Sequence, residues 1–279
     1  MKQRVYSALL RRIFSLHLSF LKMDLKPDSK YAIHEAAREG KSEYISSISR
    51  HRVLHTDKPS ASAIESLLHA NPRLAARRDE DDRLPLHWAL ANNHLPIVQL
   101  LADTPSFDVD AQDGLGWTPL MIACSVKDGD ESVDLLLAKG ASVNMTNTAG
   151  QTALHFCASK NALDTARKLI AKAASTRTRD RRGQLPLHRA AAVGSVPMLR
   201  LLLENKSPVN TSDVDGLTAL HHTISEGHGD AAVFLLKEGA QWDKKDKEDK
   251  LAIELAPDGK VRSYILQTAE REGIDVPDQ

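Results

Sequence analysis

The sequence predicts an all-α solenoid built from about seven helix-turn-helix repeats. A tetrad recurs as Leu84-Pro85-Leu86-His87, Thr118-Pro119-Leu120-Met121, Thr152-Ala153-Leu154-His155, Leu185-Pro186-Leu187-His188 and Thr218-Ala219-Leu220-His221. The first residues of these tetrads lie 34, 34, 33 and 33 apart, a fixed period that marks an array of stacked supersecondary units. Apolar residues with helical spacing follow each tetrad at a constant offset, as in Ile97, Val98, Leu100 and Leu101, or Met198, Leu199, Leu201 and Leu202. Aromatic residues make up only 4% of the 279, which suits helix pairs packed through Ala, Leu and Val.

Each repeat reads as a hairpin-like finger, a first helix opened by the tetrad, a turn and a second helix. Proline at the second tetrad position fits the first helical turn, where its missing N–H has no partner to lose. Thr118, Thr152 and Thr218 stand where a side-chain oxygen caps the helix. Gly194 and Gly227 fall where the first helix must stop and reverse. Further second helices carry Val133, Leu136 and Leu137, and Val233, Leu235 and Leu236; Gly140-Ala141 and Gly239-Ala240 end them. Asn144, Asn210, Arg182-Gly183 and Asp215-Gly216 supply turn chemistry, so fingers are expected near 81–83, 114–117, 147–151, 180–184 and 213–217. A tetrad of this type at a period near 33 is the signature of ankyrin repeats.

The terminal repeats depart from the pattern. Tyr31-Ala32-Ile33-His34-Glu35-Ala36-Ala37 reads as the first helix of repeat one, ending at Gly40. The next tetrad begins 53 residues after Tyr31. The second helix of this repeat is placed at 64–69, before Asn71-Pro72, and the extra residues form an insertion at about 42–62. At the other end Leu251-Ala252-Ile253-Glu254 replaces the tetrad, with Glu254 in place of histidine. Asp258 caps a closing helix to about residue 272, with Gly273 past its end. Such decay suits capping repeats, which need a polar outer face. The expected organisation is an N-terminal extension over 1–30, the repeat domain over 31–272 and a tail over 273–279.

Lys and Arg together number 37, as do Asp and Glu, so no global charge favours nucleic acid or an anionic membrane. No apolar run approaches the ~20 residues of a membrane helix. The two cysteines, Cys124 and Cys157, fall early in first helices and fit small core positions in a reducing compartment. Residues 1–22 carry Lys2, Arg4, Arg11, Arg12 and Lys22 without an acid, a composition similar to an organelle transit peptide. The reading adopted is that Met23 is the start and that the array needs nothing upstream of it.

Twelve histidines invite a metal hypothesis. Five of them, His34, His87, His155, His188 and His221, keep the tetrad spacing and are assigned to backbone bonding between neighbouring units. His51 and His55 share a helical spacing but lack the further ligands of a zinc site. No phosphate-binding glycine loop precedes a strand, and no spacing pairs a nucleophile with a base. The chain is therefore expected to have no catalytic site, no metal and no cofactor, and to act as a monomer. The informative positions are on the fingers and first helices, which line the concave side of an ankyrin solenoid. They hold Arg83, Trp88, Trp117, Lys160, Arg182, Arg189 and His222, and Trp and Arg are enriched at interface hot spots. Trp88 and Trp117 either pack between adjacent fingers or contact a partner. Arg177-Thr178-Arg179-Asp180-Arg181-Arg182 reads as a solvated finger tip, its basic run broken by Asp180. Lys244 to Lys250 alternates in sign and reads as solvated surface.

The motifs Asp82-Arg83-Leu84-Pro85-Leu86-His87-Trp88, Gly116-Trp117-Thr118-Pro119-Leu120, Ser159-Lys160-Asn161, Leu187-His188-Arg189-Ala190-Ala191-Ala192-Val193-Gly194-Ser195 and Glu226-Gly227-His228-Gly229-Asp230 resemble gankyrin and its fungal counterpart over about residues 30–270. The resemblance implies a seven-repeat chaperone of the proteasome regulatory particle, found in cytoplasm and nucleus. Its concave face would hold the C-terminal domain of one regulatory-particle ATPase subunit, and Arg83 and Lys160 match basic positions that meet acidic ones. Bound in this way, the chaperone would keep that ATPase from docking fully on the proteolytic core. The insertion at 42–62 is foreign to the animal protein. The animal family's Leu-x-Cys-x-Glu motif would fall at His222-Thr223-Ile224-Ser225-Glu226, so its retinoblastoma partner is not carried over. The alternative is an ankyrin-repeat regulator or scaffold of another protein, such as a transcription factor or kinase.

Overall fold

Helix pairs recur with the period of the tetrads in the computed structural model, which describes residues 31–40 and 62–274. The N-terminal extension, nearly all of the expected insertion and the last five residues lie outside the described residues. From Ile33 onward the described residues form one unit. The first helices are α1 (Ala32–Glu39), α3 (Pro85–Ala91), α5 (Pro119–Ser125), α7 (Ala153–Lys160), α9 (Pro186–Val193) and α11 (Ala219–Ser225). Their second helices are α2 (Ser62–Ala70), α4 (Leu95–Ala102), α6 (Asp130–Ala138), α8 (Leu163–Ala171), α10 (Val196–Glu204) and α12 (Gly229–Lys237). Repeat seven replaces its first helix with a 3-10 turn over Ala252–Leu255 and closes with α13 (Gly259–Arg271). Among the described residues there is no strand, only one antiparallel bridge between Lys245 and Leu251. No helix among them is long and apolar enough to cross a membrane.

The core runs through every repeat as one layer. The third tetrad residue, Leu86, Leu120, Leu154, Leu187 or Leu220, is at most 3% exposed. Ile97, Val98 and Leu101, then Val133 and Leu136, Ala166 and Leu169, and Met198, Leu199 and Leu202 face it from the second helices. Cys124 and Cys157 are buried free thiols in this layer, as their small-residue positions predict.

The tetrad histidines join one repeat to the next. In His87 the ring Nδ1 accepts the Leu84 N–H at 2.9 Å, which fixes the proton on Nε2, and Nε2 donates to the Ala111 carbonyl at 2.9 Å. His155 repeats this with Thr152 N–H and the Gln184 carbonyl, and His188 with Leu185 N–H and the Thr211 carbonyl. Each imidazole satisfies an orphan N–H of a helix start and a carbonyl of the following finger. Glu254 keeps half of this device: its Oε2 accepts the Leu251 N–H at 2.6 Å. Burial lowers the His155 and His188 pKa values to about 4, because the water a charged ring would lose outweighs the attraction of Asp180 and, at His188, of Asp213.

A second staple lies between the helices and the next finger. Asn144 accepts Ser175 N–H and donates to the Ala173 carbonyl; Asn210 does the same with Gln241 N–H and the Gly239 carbonyl. Glycine matters most where fingers stack. A Cβ on Gly150, at φ +76°, would lie 3.2 Å from the Asp180 Cα of the next finger. The equivalent positions of the first and last described fingers, Asp82 and Asp249, take the same positive φ without a glycine.

One feature was not predicted: a 3-10 turn over Pro72–Ala76, opened by Asn71, whose side chain accepts Arg73 N–H at 3.1 Å. It connects α2 to the first described finger. At the other end the capping prediction holds, since Asp258 Oδ1 accepts both Lys260 and Val261 N–H at 2.9 Å. Asp258→Ala is expected to cost about 1 kcal/mol, the usual worth of an N-cap. A thermal melt should move down by a few degrees; an unchanged midpoint would show that α13 frays before the array unfolds.

Candidate partner-binding face

The face is built on one carboxylate or amide per finger, five residues before each tetrad: Asp79, Asp113, Asn147, Asp180, Asp213 and Asp246. One side-chain oxygen closes the turn by accepting two backbone N–H groups. Asp113 Oδ1 takes Leu115 and Trp117, Asp180 Oδ1 takes Arg182 and Gln184, and Asp213 Oδ1 takes Asp215 and Leu217, all at 2.8–3.0 Å. The second oxygen turns toward the first helices, and there most of the predicted site residues are found.

Arg83 and Trp88 form one cluster. The Arg83 Nε donates to Asp113 Oδ2 at 3.1 Å, and its guanidinium lies 4.9 Å from the Trp88 ring centre. Trp88 Nε1 donates to Asp79 Oδ2 at 2.7 Å. Arg189 donates to Asp180 Oδ2 at 2.7 Å. His222 Nε2 meets Asp213 Oδ2 at 3.2 Å, alongside the Gln184 amide at 2.9 Å. Burial would raise the Asp213 pKa, but bonds from His222, Gln184 and its own finger outweigh it and hold the carboxyl well below the usual range. Arg182 faces Asp215 across 3.6 Å. Trp117 stacks against Phe156, with ring centres 4.3 Å apart. Lys160 is exposed at the C-terminal end of α7, where Asn161 leaves the helix in a left-handed conformation.

Arg83, Trp88 and Arg189 thus combine a partly exposed edge with a structural duty, since each answers a finger carboxylate; His222 answers one as well but is buried, at 9% exposure. The Arg83 and Arg189 side chains are 22% exposed, while their Asp113 and Asp180 partners are at most 2% exposed. Both tryptophan rings pack within the array, and both remain partly exposed. The sequence reading missed the finger carboxylates and Phe156. The signal was available, because Asp or Asn recurs five residues before each tetrad, and Phe156 follows its tetrad histidine as Trp88 follows His87. No cluster of three or more metal-binding side chains occurs among the described residues.

Stacked fingers with paired helices of this geometry define an ankyrin-repeat protein. A family model described as ankyrin repeats (three copies) matches residues 53–147, 105–180, 125–211 and 154–246. The probable 26S proteasome regulatory subunit p28 of Saccharomyces cerevisiae is 38% identical over 209 residues, 73% of this chain and 91% of that protein. The 26S proteasome non-ATPase regulatory subunit 10 of Dictyostelium discoideum is 42% identical over 64 residues, 23% of this chain and 27% of that protein. An ankyrin repeat-containing protein of Schizosaccharomyces pombe is 35% identical over 99 residues, 35% of this chain and 42% of that one. The chain belongs to the ankyrin-repeat family and, within it, to the gankyrin family that includes yeast p28.

Proposed function

We propose that this chain is a proteasome-associated, non-catalytic chaperone whose finger and first-helix face grips the C-terminal domain of a regulatory-particle ATPase subunit. The observation that carries this reading is the match to yeast p28 over 91% of that protein's length. The face adds a chemical argument. It offers half-exposed aromatic and guanidinium groups, the side chains that most often anchor interfaces, on a rigid scaffold with little ordering entropy left to lose. Arg83 and Lys160 are the charge contacts in this reading, with Trp88, Trp117, Arg182, Arg189 and His222 beside them.

The test is titration of the full chain against the purified C-terminal domain of each regulatory-particle ATPase. One of them should form a complex that weakens as salt rises, since exposed charge pairs are screened beyond ~8 Å at physiological ionic strength. Lys160→Glu should lower the affinity at a stability cost of no more than about 1 kcal/mol, the usual worth of a basic side chain in the last turn of a helix. Arg83→Glu is a less clean probe: it would set a carboxylate against buried Asp113 and loosen the finger as well as the contact. No binding to any of the ATPases would overturn the proposal. Equal affinities for wild type and Lys160→Glu would remove Lys160 from the interface.

A further inference from the structure

The basic run at residues 177–182 is interrupted by Asp180 in sequence but not in space. Asp180 is 6% exposed and turned inward, its Oδ1 occupied by two finger N–H groups and its Oδ2 by Arg189. What remains outside is Arg177, Arg179 and Arg181, all exposed. Arg179 makes a long 3.4 Å contact with the Ser212 carbonyl, and Arg177 and Arg181 make no ion pair among the described residues.

Neighbouring fingers are joined tip to tip by single backbone bonds. Arg181 N–H donates to the Ala149 carbonyl, Val214 N–H to that of Arg182, and Lys247 N–H to that of Asp215, each at 2.8–3.0 Å. These bonds bring Arg181, Val214 and Lys247 into one row across the last three fingers. Val214 is 46% exposed, and Lys247 is exposed without an ion pair among the described residues. Three acids of these fingers are engaged, Asp215 with Arg182, Asp249 with Lys245 and Glu248 with Lys250, while Asp243 is exposed. The finger at the opposite end of the array is acidic, with Glu80, Asp81 and Asp82 exposed.

We propose that the last three fingers, through Arg177, Arg179, Arg181 and Lys247 around Val214, bind a short acidic peptide segment carrying an apolar residue. Three guanidiniums on one loop match carboxylates in charge and in fork geometry. Val214, between Arg181 and Lys247, gives an apolar foothold that a bare polyanion would leave unused. A nucleic acid strand is disfavoured, because a uniform line of phosphates continued along the row meets the acidic first finger. This surface adjoins Arg182 of the proposed ATPase face but includes neither Arg83 nor Lys160, so a change at Lys160 tells the two contacts apart.

The probe is a fluorescein-labelled oligoglutamate peptide with a central leucine, followed by anisotropy with the full chain. The wild type should bind, and binding should weaken as salt rises. Combined Arg177→Ser, Arg179→Ser and Arg181→Ser should weaken it by about tenfold or more. Lys160→Glu should leave it unchanged, which separates failure here from failure of the ATPase reading. Val214→Asp should weaken it as well. Absence of binding, equal binding by the triple variant, or tighter binding of a single-stranded oligonucleotide of similar length would each overturn the proposal.

Discussion

Acidification from pH 7 to pH 4 is expected to cost this array several kcal/mol of stability, most of it lost well above the carboxylate range. His155 and His188 have folded-state pKa values near 4, against an ordinary value of 6.5. The sign follows from linkage. A depressed histidine pKa means the unfolded chain binds the proton first, so the contribution is complete above pH 6.5 and lost as pH falls toward 4. Each ring is worth on the order of 3 kcal/mol over that window. His87, His34 and His221 are shifted in the same direction, also by burial. All five sit at junctions between repeats, so their protonation attacks the coupling that makes the array cooperative. Urea denaturation at pH 7 and at pH 5 measures the effect. A midpoint that does not fall at the lower pH would mean that these rings stay neutral in the unfolded chain or charge freely in the folded one.

Asp180→Ala should be the most damaging single change on the finger face. It removes the acceptor of two finger N–H groups and leaves the Arg189 guanidinium half-buried without its anion. Breaking a buried charge pair by deleting one partner costs about 3–5 kcal/mol, much of it from the group left behind. Asp180→Asn is the informative companion. Asparagine already closes the preceding finger at Asn147, where Oδ1 accepts Ala149 and Gln151 N–H. The amide should therefore rescue the turn and leave only the lost pairing with Arg189. Measured midpoints should rank wild type above Asn, and Asn above Ala. If Asn and Ala destabilise equally, the backbone bonds contribute little and the ion pair carries the finger. If both are neutral, the inward-facing carboxylate has no structural role.

The same residue shows where the reading of the face was incomplete. Arg83, Arg189, Trp88 and His222 are identified from the sequence as outward-facing binding candidates, by residue type and repeat position. Each is also held by a finger carboxylate, a contact to Asp79, Asp113, Asp180 or Asp213. Three of these four partners lie nine residues before the residue they hold, and Asp113 lies thirty residues after Arg83. Helical spacing rules address neighbours three or four apart, so they do not reach such pairs. The caps were easier to read. Thr118 and Asp258 act within their own turns, and local hydrogen bonding needs no knowledge of the next repeat.

By itself the sequence determined the repeat period, the fold class, the helix starts, the closing helix and the buried leucine of each tetrad. These are local properties written once per repeat, and repetition makes each one a check on the others. Only the tertiary structure decided which side of each finger a charged group occupies. Asp180 is buried while Arg177, Arg179 and Arg181 are exposed, so the acid that interrupts the run in sequence is withdrawn from its surface. The physical reason is that a carboxylate with two acceptor oxygens can satisfy a closed turn and a guanidinium at once. A guanidinium has only donors to offer, and the finger's own unpaired backbone groups are N–H donors that it cannot bond.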